Sequence, residues 1–109
     1  MPELPEVETS RRGISPHITG SKISDVIIRQ PQLRWKIPAD LLTQLQDRKL
    51  LSIDRRAKYL LLNFTSGTLL IHLGMSGSLR ICPLNSEVGK HDHVDFIFES
   101  CLLRYTDPR

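Results

Sequence analysis

The chain has little of what marks secreted, membrane-embedded or disulfide-stapled proteins. Its 109 residues include two cysteines, Cys82 and Cys101. Two are too few for a disulfide framework, and their spacing suits no close set of metal ligands. No apolar run approaches the ~20 residues that a membrane-crossing helix needs; the longest are strand-sized. The first residues are acidic and lack a charged-then-apolar leader, which argues against secretion. Internal repeats, low-complexity tracts and interdomain linkers are also missing. With 39% hydrophobic and 25% charged residues, one ordinary domain with a modest core is expected, in a reduced, cytoplasmic setting.

The distribution of charge says more than its sum of +3. Residues 1–60 hold 11 Lys+Arg against 7 Asp+Glu, giving +4, and residues 61–109 hold 4 against 5, giving −1. Several cations are adjacent, as Arg11-Arg12 and as Arg55-Arg56 followed by Lys58. Clustered cations suit a polyanionic partner, since each phosphate contact releases counterions.

Helical signals come first along the chain. Pro5, Glu6 and Glu8 suit the first turn of a helix, where a missing N–H costs nothing and acids oppose the dipole. Leu4, Val7, Ile14 and Ile18 keep a helical spacing, with Arg11 interrupting the stripe. Gly13 and Pro16 weaken or kink this helix, and Thr19-Gly20 ends it. Residues 22–29 read as a strand, and 39–46 as a short helix after a loop containing Pro31 and Pro38. Strand-length segments follow at 51–56, 59–64, 68–72, 78–81, 94–98 and 102–105. Ser66-Gly67 closes a hairpin, and 85–89 is a polar loop. The expected fold class is α+β, mainly β: a β-sandwich of about 6–8 short strands with an N-terminal helix and a second short helix at its edges. The last residues stop in a turn signal without a closing element, so the chain reads as cut.

Five constellations could carry chemistry. If Met1 is trimmed, Pro2 becomes a free secondary amine beside the carboxylate of Glu3. An amine of pKa about 8 is partly neutral near neutrality and attacks carbonyl-like carbon to give an iminium, while a carboxyl moves the protons. The plainer alternative is that Pro2 and Pro5 stiffen a mobile start. In Arg55-Arg56-Ala57-Lys58-Tyr59, a continuous strand would place Arg56 and Lys58 on one face and Arg55 on the other. Such cations could grip phosphate, or could guard an edge strand against aggregation. His72-Leu73-Gly74-Met75-Ser76-Gly77-Ser78 reads as a hairpin tip. There Met75 is either an apolar wedge between bases or a core plug. Lys90-His91-Asp92-His93 puts two histidines on one face, a spacing open to metal, phosphate contact or simple hydrogen bonding. Arg104-Tyr105-Thr106-Asp107-Pro108-Arg109 runs from a strand into a turn with Arg109 exposed; the plainer alternative is a solvated chain end.

Taken together, these segments resemble the bacterial formamidopyrimidine-DNA glycosylases. The resemblance rests on Met1-Pro2-Glu3-Leu4-Pro5-Glu6-Val7-Glu8-Thr9, on Arg55-Arg56-Ala57-Lys58-Tyr59-Leu60 and on His72 through Arg80. Lys90-His91-Asp92-His93-Val94 and Arg104 through Arg109 complete it. Residues 22–46 and 84–89 carry little of it. That family excises oxidised purines, such as 8-oxoguanine and formamidopyrimidines, from duplex DNA and nicks the abasic strand. The resemblance implies Pro2 as the nucleophile that forms a Schiff base at C1′ of a flipped nucleotide. It implies Glu3 as the acid and Lys58 as the β-elimination and phosphate-binding lysine. His91 and Arg109 become DNA contacts, and Met75 and Arg109 fill the gap left by the flipped base. Glu6, His72 and Arg56 become supports.

The family also continues past Arg109, with a helix–two-turn–helix clamp and a C-terminal four-cysteine zinc finger. Cys82 and Cys101 do not match that finger, so no cofactor or metal is expected in residues 1–109. These residues are expected to be the truncated N-terminal catalytic domain, retaining the nucleophile but binding DNA weakly. The expected partner is damaged double-stranded DNA in the bacterial cytoplasm, with no membrane and a monomeric state. A non-catalytic DNA- or lesion-binding module of the same fold, or a plain structural β-domain, remain the alternatives.

Overall fold

The computed structural model describes residues 4–30, 40–74 and 76–108, apart from the side chains of 4–6. In chain order these form α1 (Leu4–Ile18), β1 (Ile23–Ile28), α2 (Leu41–Leu45) and β2 (Leu50–Arg56). β3 (Tyr59–Phe64), β4 (Gly67–His72), β5 (Ser78–Cys82), β6 (Asp92–Phe98) and β7 (Leu102–Thr106) follow. Two antiparallel sheets result, one ordered β2-β3-β4 and the other β1-β6-β7-β5. Both sheets feed one core, as the expected sandwich requires.

Alternation explains which faces meet. In β3, Leu60, Leu62 and Phe64 are buried while Tyr59 is exposed. In β6 and β7, Val94, Phe96, Phe98, Leu103 and Tyr105 join the same core. Each large aliphatic side chain taken from water contributes about 1.5–3 kcal/mol. The helix α1 adds Val7, Ile14 and Ile18. Arg11, which breaks that stripe, reaches over the core's rim and donates to the Ile53 carbonyl at 3.3 Å. The helix runs through Gly13 and Pro16, both on its exposed side, and Gly20 (φ 87°) follows in the left-handed conformation common just past a helix end. The second helix is shorter than expected, Leu41–Leu45, with Leu41 and Leu45 buried.

Three local expectations are corrected. Residues 72–78 are not a hairpin tip: β4 and β5 lie in different sheets, so this segment crosses between them. Lys58 shares no strand face with Arg56, because β2 ends at Arg56 and Ala57-Lys58 form a two-residue turn into β3. The end of β7 is not a solvated terminus, since Arg104 and Asp107 are buried.

Candidate functional site

The turn between β2 and β3 is built around strain and a brace. Ala57 sits at φ 53°, a conformation that costs a residue bearing a Cβ about 1–2 kcal/mol. Arg55 holds it there, donating from Nη1 to the Ala57 carbonyl at 3.1 Å. The same guanidinium donates from Nε to Glu8 Oε1 at 3.1 Å. Glu8 lies on α1, one turn beyond the acidic start of the chain, and Arg11 and Arg12 also converge on it at 2.6 and 2.9 Å. The Arg11 hydrogen bond foremost, joined by Arg55 and Arg12 and opposed by partial burial, lowers the Glu8 pKa from 4.5 to about 2. Glu8, Arg55 and the Ala57 carbonyl therefore tie the first turns of α1 to the turn carrying Lys58.

Beside this turn, register places Arg56, Tyr59 and His72 in one row across β2, β3 and β4. The Tyr59 and His72 rings are tilted against each other with centroids 4.9 Å apart. Lys58 is half-buried at the end of that row.

From His72 the chain crosses to the other sheet. Gly74 takes φ 70°, and the Gly77 N–H closes a turn onto the Leu73 carbonyl at 2.9 Å. A Cβ on Gly77 would collide with that carbonyl and stand 2.8 Å from the Tyr105 hydroxyl, so the close approach needs glycine. Ser76 donates to Asp107 Oδ1 at 2.6 Å. Tyr105 donates to Oδ2 at 3.0 Å. The Asp107 N–H donates to the His91 carbonyl at 3.0 Å, and His93 Nε2 lies 2.6 Å from the Asp107 carbonyl. A carbonyl only accepts, so that nitrogen carries a proton.

The loop before β6 is fixed from beneath. Arg104 makes a two-pronged pair with Asp95 and donates from Nη1 to the Glu87 carbonyl at 2.8 Å. Arg29 adds a bond to Asp95 at 2.8 Å. Asp92 accepts from the Gly89 N–H at 2.6 Å and the Thr106 hydroxyl at 2.7 Å. Burial pushes both carboxyls up, but these donors and the arginines outweigh it and hold them below the usual range.

This chain matches the family model for the formamidopyrimidine-DNA glycosylase N-terminal domain over residues 1–109. It is 74% identical over its whole length to a formamidopyrimidine-DNA glycosylase of Psychromonas ingrahamii, covering 40% of that relative. It is 61% identical to one of Methylococcus capsulatus, covering 41%. The chain belongs to the formamidopyrimidine-DNA glycosylase family. Among solved structures, a Lactococcus lactis formamidopyrimidine-DNA glycosylase non-covalently bound to DNA with an abasic site superposes with a TM-score of 0.89 at 34% identity. The match covers 97% of this chain and 41% of that one. Another from the same organism, complexed with DNA containing a formamidopyrimidine lesion, gives 0.88 at 34% identity, over 96% and 40%. The chain thus spans about 40% of the length of the relatives it matches.

Within this formamidopyrimidine-DNA glycosylase domain the expected residues fall into two groups. Lys58, Arg56 and His72 are brought together around the β2–β3 turn. His91 is half-buried, its ring edge-on to that of His93 at 6.4 Å. Pro2, Glu3, Met75 and Arg109 lie outside the described residues, as does the side chain of Glu6. Among the described residues no three His, Cys, Asp or Glu side chains are grouped to hold a metal ion, and no helix is long and apolar enough to cross a membrane. Sequence reasoning missed Glu8, Arg55 as a brace, Asp107 and the Asp95–Arg104 pair. Only Glu8 left a local signal, with arginines three and four residues on at helical spacing.

Proposed function

We propose that this domain carries the catalytic start of a bifunctional glycosylase and abasic-site lyase that removes oxidised purines from duplex DNA. Support comes from the brace of Glu8, Arg55 and Ala57, which joins the helix following Pro2 and Glu3 to the turn carrying Lys58. In this reading the Pro2 amine forms a bond to C1′ as the bond from C1′ to the damaged base breaks, and Glu3 protonates the sugar or the departing base. With the amine proton lost, the C1′–O4′ bond breaks as O4′ takes a proton from Glu3, and the opened sugar is held as an iminium that acidifies C2′. Loss of the C2′ proton then expels the 3′ phosphate and nicks the strand. Lys58 serves the elimination and binds phosphate. Met75 and Arg109 occupy the void left by the extruded nucleotide, and His91 contacts the backbone. Arg56 and His72, in one row beside Lys58, add cationic and hydrogen-bonding support.

Borohydride trapping on an abasic duplex tests this, since reduction fixes the iminium as a stable crosslink. Pro2→Gly should abolish most of the trapped product, and undiminished trapping would end the nucleophile assignment. Mass spectrometry of the N-terminus separates the alternative of a binding module without chemistry. A retained Met1 locks the Pro2 nitrogen in an amide.

A further inference from the structure

Asp107 connects three segments that the sequence keeps far apart. Its carboxylate accepts from Ser76 in the crossover between the sheets and from Tyr105 on β7. Its backbone N–H donates to the His91 carbonyl, and its carbonyl accepts from His93 Nε2. The residue is only 7% exposed. A carboxylate offers acceptor sites on two oxygens, and here each oxygen takes a different hydroxyl. Met75 directly precedes Ser76, and Arg109 follows Asp107 by two residues, so each proposed gap-filling residue neighbours a group in this knot. His91 is bonded into it by its own carbonyl.

Building on the proposed glycosylase reading, we propose that Asp107 is a positioning residue that makes Ser76, residues 91–93 and Asp107 itself move as one body. Occupying the space of an extruded nucleotide requires several side chains to enter a duplex together. Segments ordered independently would each lose freedom on binding, whereas a preformed unit has already done so. The Ser76 bond is the part of the knot that restrains the crossover, and the Asp107 backbone bonds restrain the loop before β6. Asp107 touches no reacting atom in this assignment. Its effect falls on entry into the duplex and not on chemistry at C1′.

The test compares two abasic substrates, a duplex and the single strand of the same sequence, in the protein carrying this domain. 2-Aminopurine opposite the abasic site reports occupation of the gap. Asp107→Ala and Ser76→Ala should each raise KM on the duplex about tenfold, the scale of a lost hydrogen bond to a charged group, with kcat changing less than about twofold. Both should blunt the 2-aminopurine response while single-strand trapping persists. Asp107→Asn, which keeps an acceptor, a donor and the backbone bonds, should restore most of the duplex affinity. Equal losses on both substrates would overturn the proposal, because a purely structural role predicts them. If Asp107→Ala does not fold, Ser76→Ala decides alone, and unchanged duplex KM in that variant is the refuting result. A parent protein that traps neither substrate would overturn the glycosylase reading itself, and the positioning role with it.

Discussion

Arg104 grips Asp95 across the β6–β7 pair with both prongs, Nε to Oδ1 at 2.9 Å and Nη2 to Oδ2 at 3.0 Å, with no more than 2% of either side chain in contact with solvent. Removing one partner leaves a buried charge short of its counter-ion. Arg104→Met should therefore cost about 3–5 kcal/mol, whereas the double replacement with Asp95→Leu should recover much of that loss. Denaturant unfolding of the two variants checks the difference. Equal stability of single and double variants would contradict it.

Acid should unfold the domain in a defined window. Glu8 has its pKa lowered from 4.5 to about 2, and Asp92 and Asp95 are held below their ordinary value. In the unfolded chain these carboxyls take up protons at higher pH than in the folded one, so the unfolded state gains stability as pH falls. The contribution of Glu8 is full above about pH 4.5 and disappears as pH drops through about 2. Thermal midpoints measured across this range should fall less steeply in Glu8→Gln. Parallel curves for the two proteins would exclude Glu8 as a source of the acid sensitivity.

Arg55→Ala removes both the Glu8 bond and the restraint on the strained Ala57 carbonyl. Displacing a catalytic group by about 1 Å can cost a hundredfold in rate, so trapping on abasic DNA should slow about ten- to hundredfold. Stability should change by less than about 1 kcal/mol, because the ion pair is partly exposed. Single-turnover trapping beside a melting curve separates these effects.

Gly77→Ala forces a methyl group onto the Leu73 carbonyl and the Tyr105 ring. Overpacking of this kind costs about 1–3 kcal/mol. Thermal unfolding should register that loss, and Gly13→Ala, whose added carbon meets nothing within 4 Å beyond its chain neighbours and its own helix backbone, supplies the contrast by remaining as stable or becoming more so.

Elements were legible where the signal is local. The alternation of Leu60, Leu62 and Phe64 and the Ser66-Gly67 turn predicted β3 and the hairpin that follows it. The apolar stripe of α1 did the same, despite Gly13 and Pro16. Relationships set by register were not legible. Asp95 and Arg104 become neighbours only because β6 and β7 pair in that alignment. The crossover at 73–77 was read as a hairpin because glycines at a bend look alike whether the chain returns to its own sheet or enters another. The break at 57–58 was legible in the strand bounds 51–56 and 59–64, but nothing in Ala57 signals its left-handed conformation; Arg55 and Glu8 supply that restraint from outside the turn. Asp107 sat in a recognised motif, but its role depends on Ser76, thirty-one residues earlier.

The crossover has one further consequence. His72 ends β4, in the sheet whose β2–β3 turn carries Lys58, and Ser76 is pinned to Asp107, just past the end of β7 in the other sheet. On the proposed reading, the thickness of the sandwich acts as a ruler between an edge that meets phosphate and an edge that meets bases. On the same reading, buried residues such as Leu62 and Phe96 bear on that spacing from within the core.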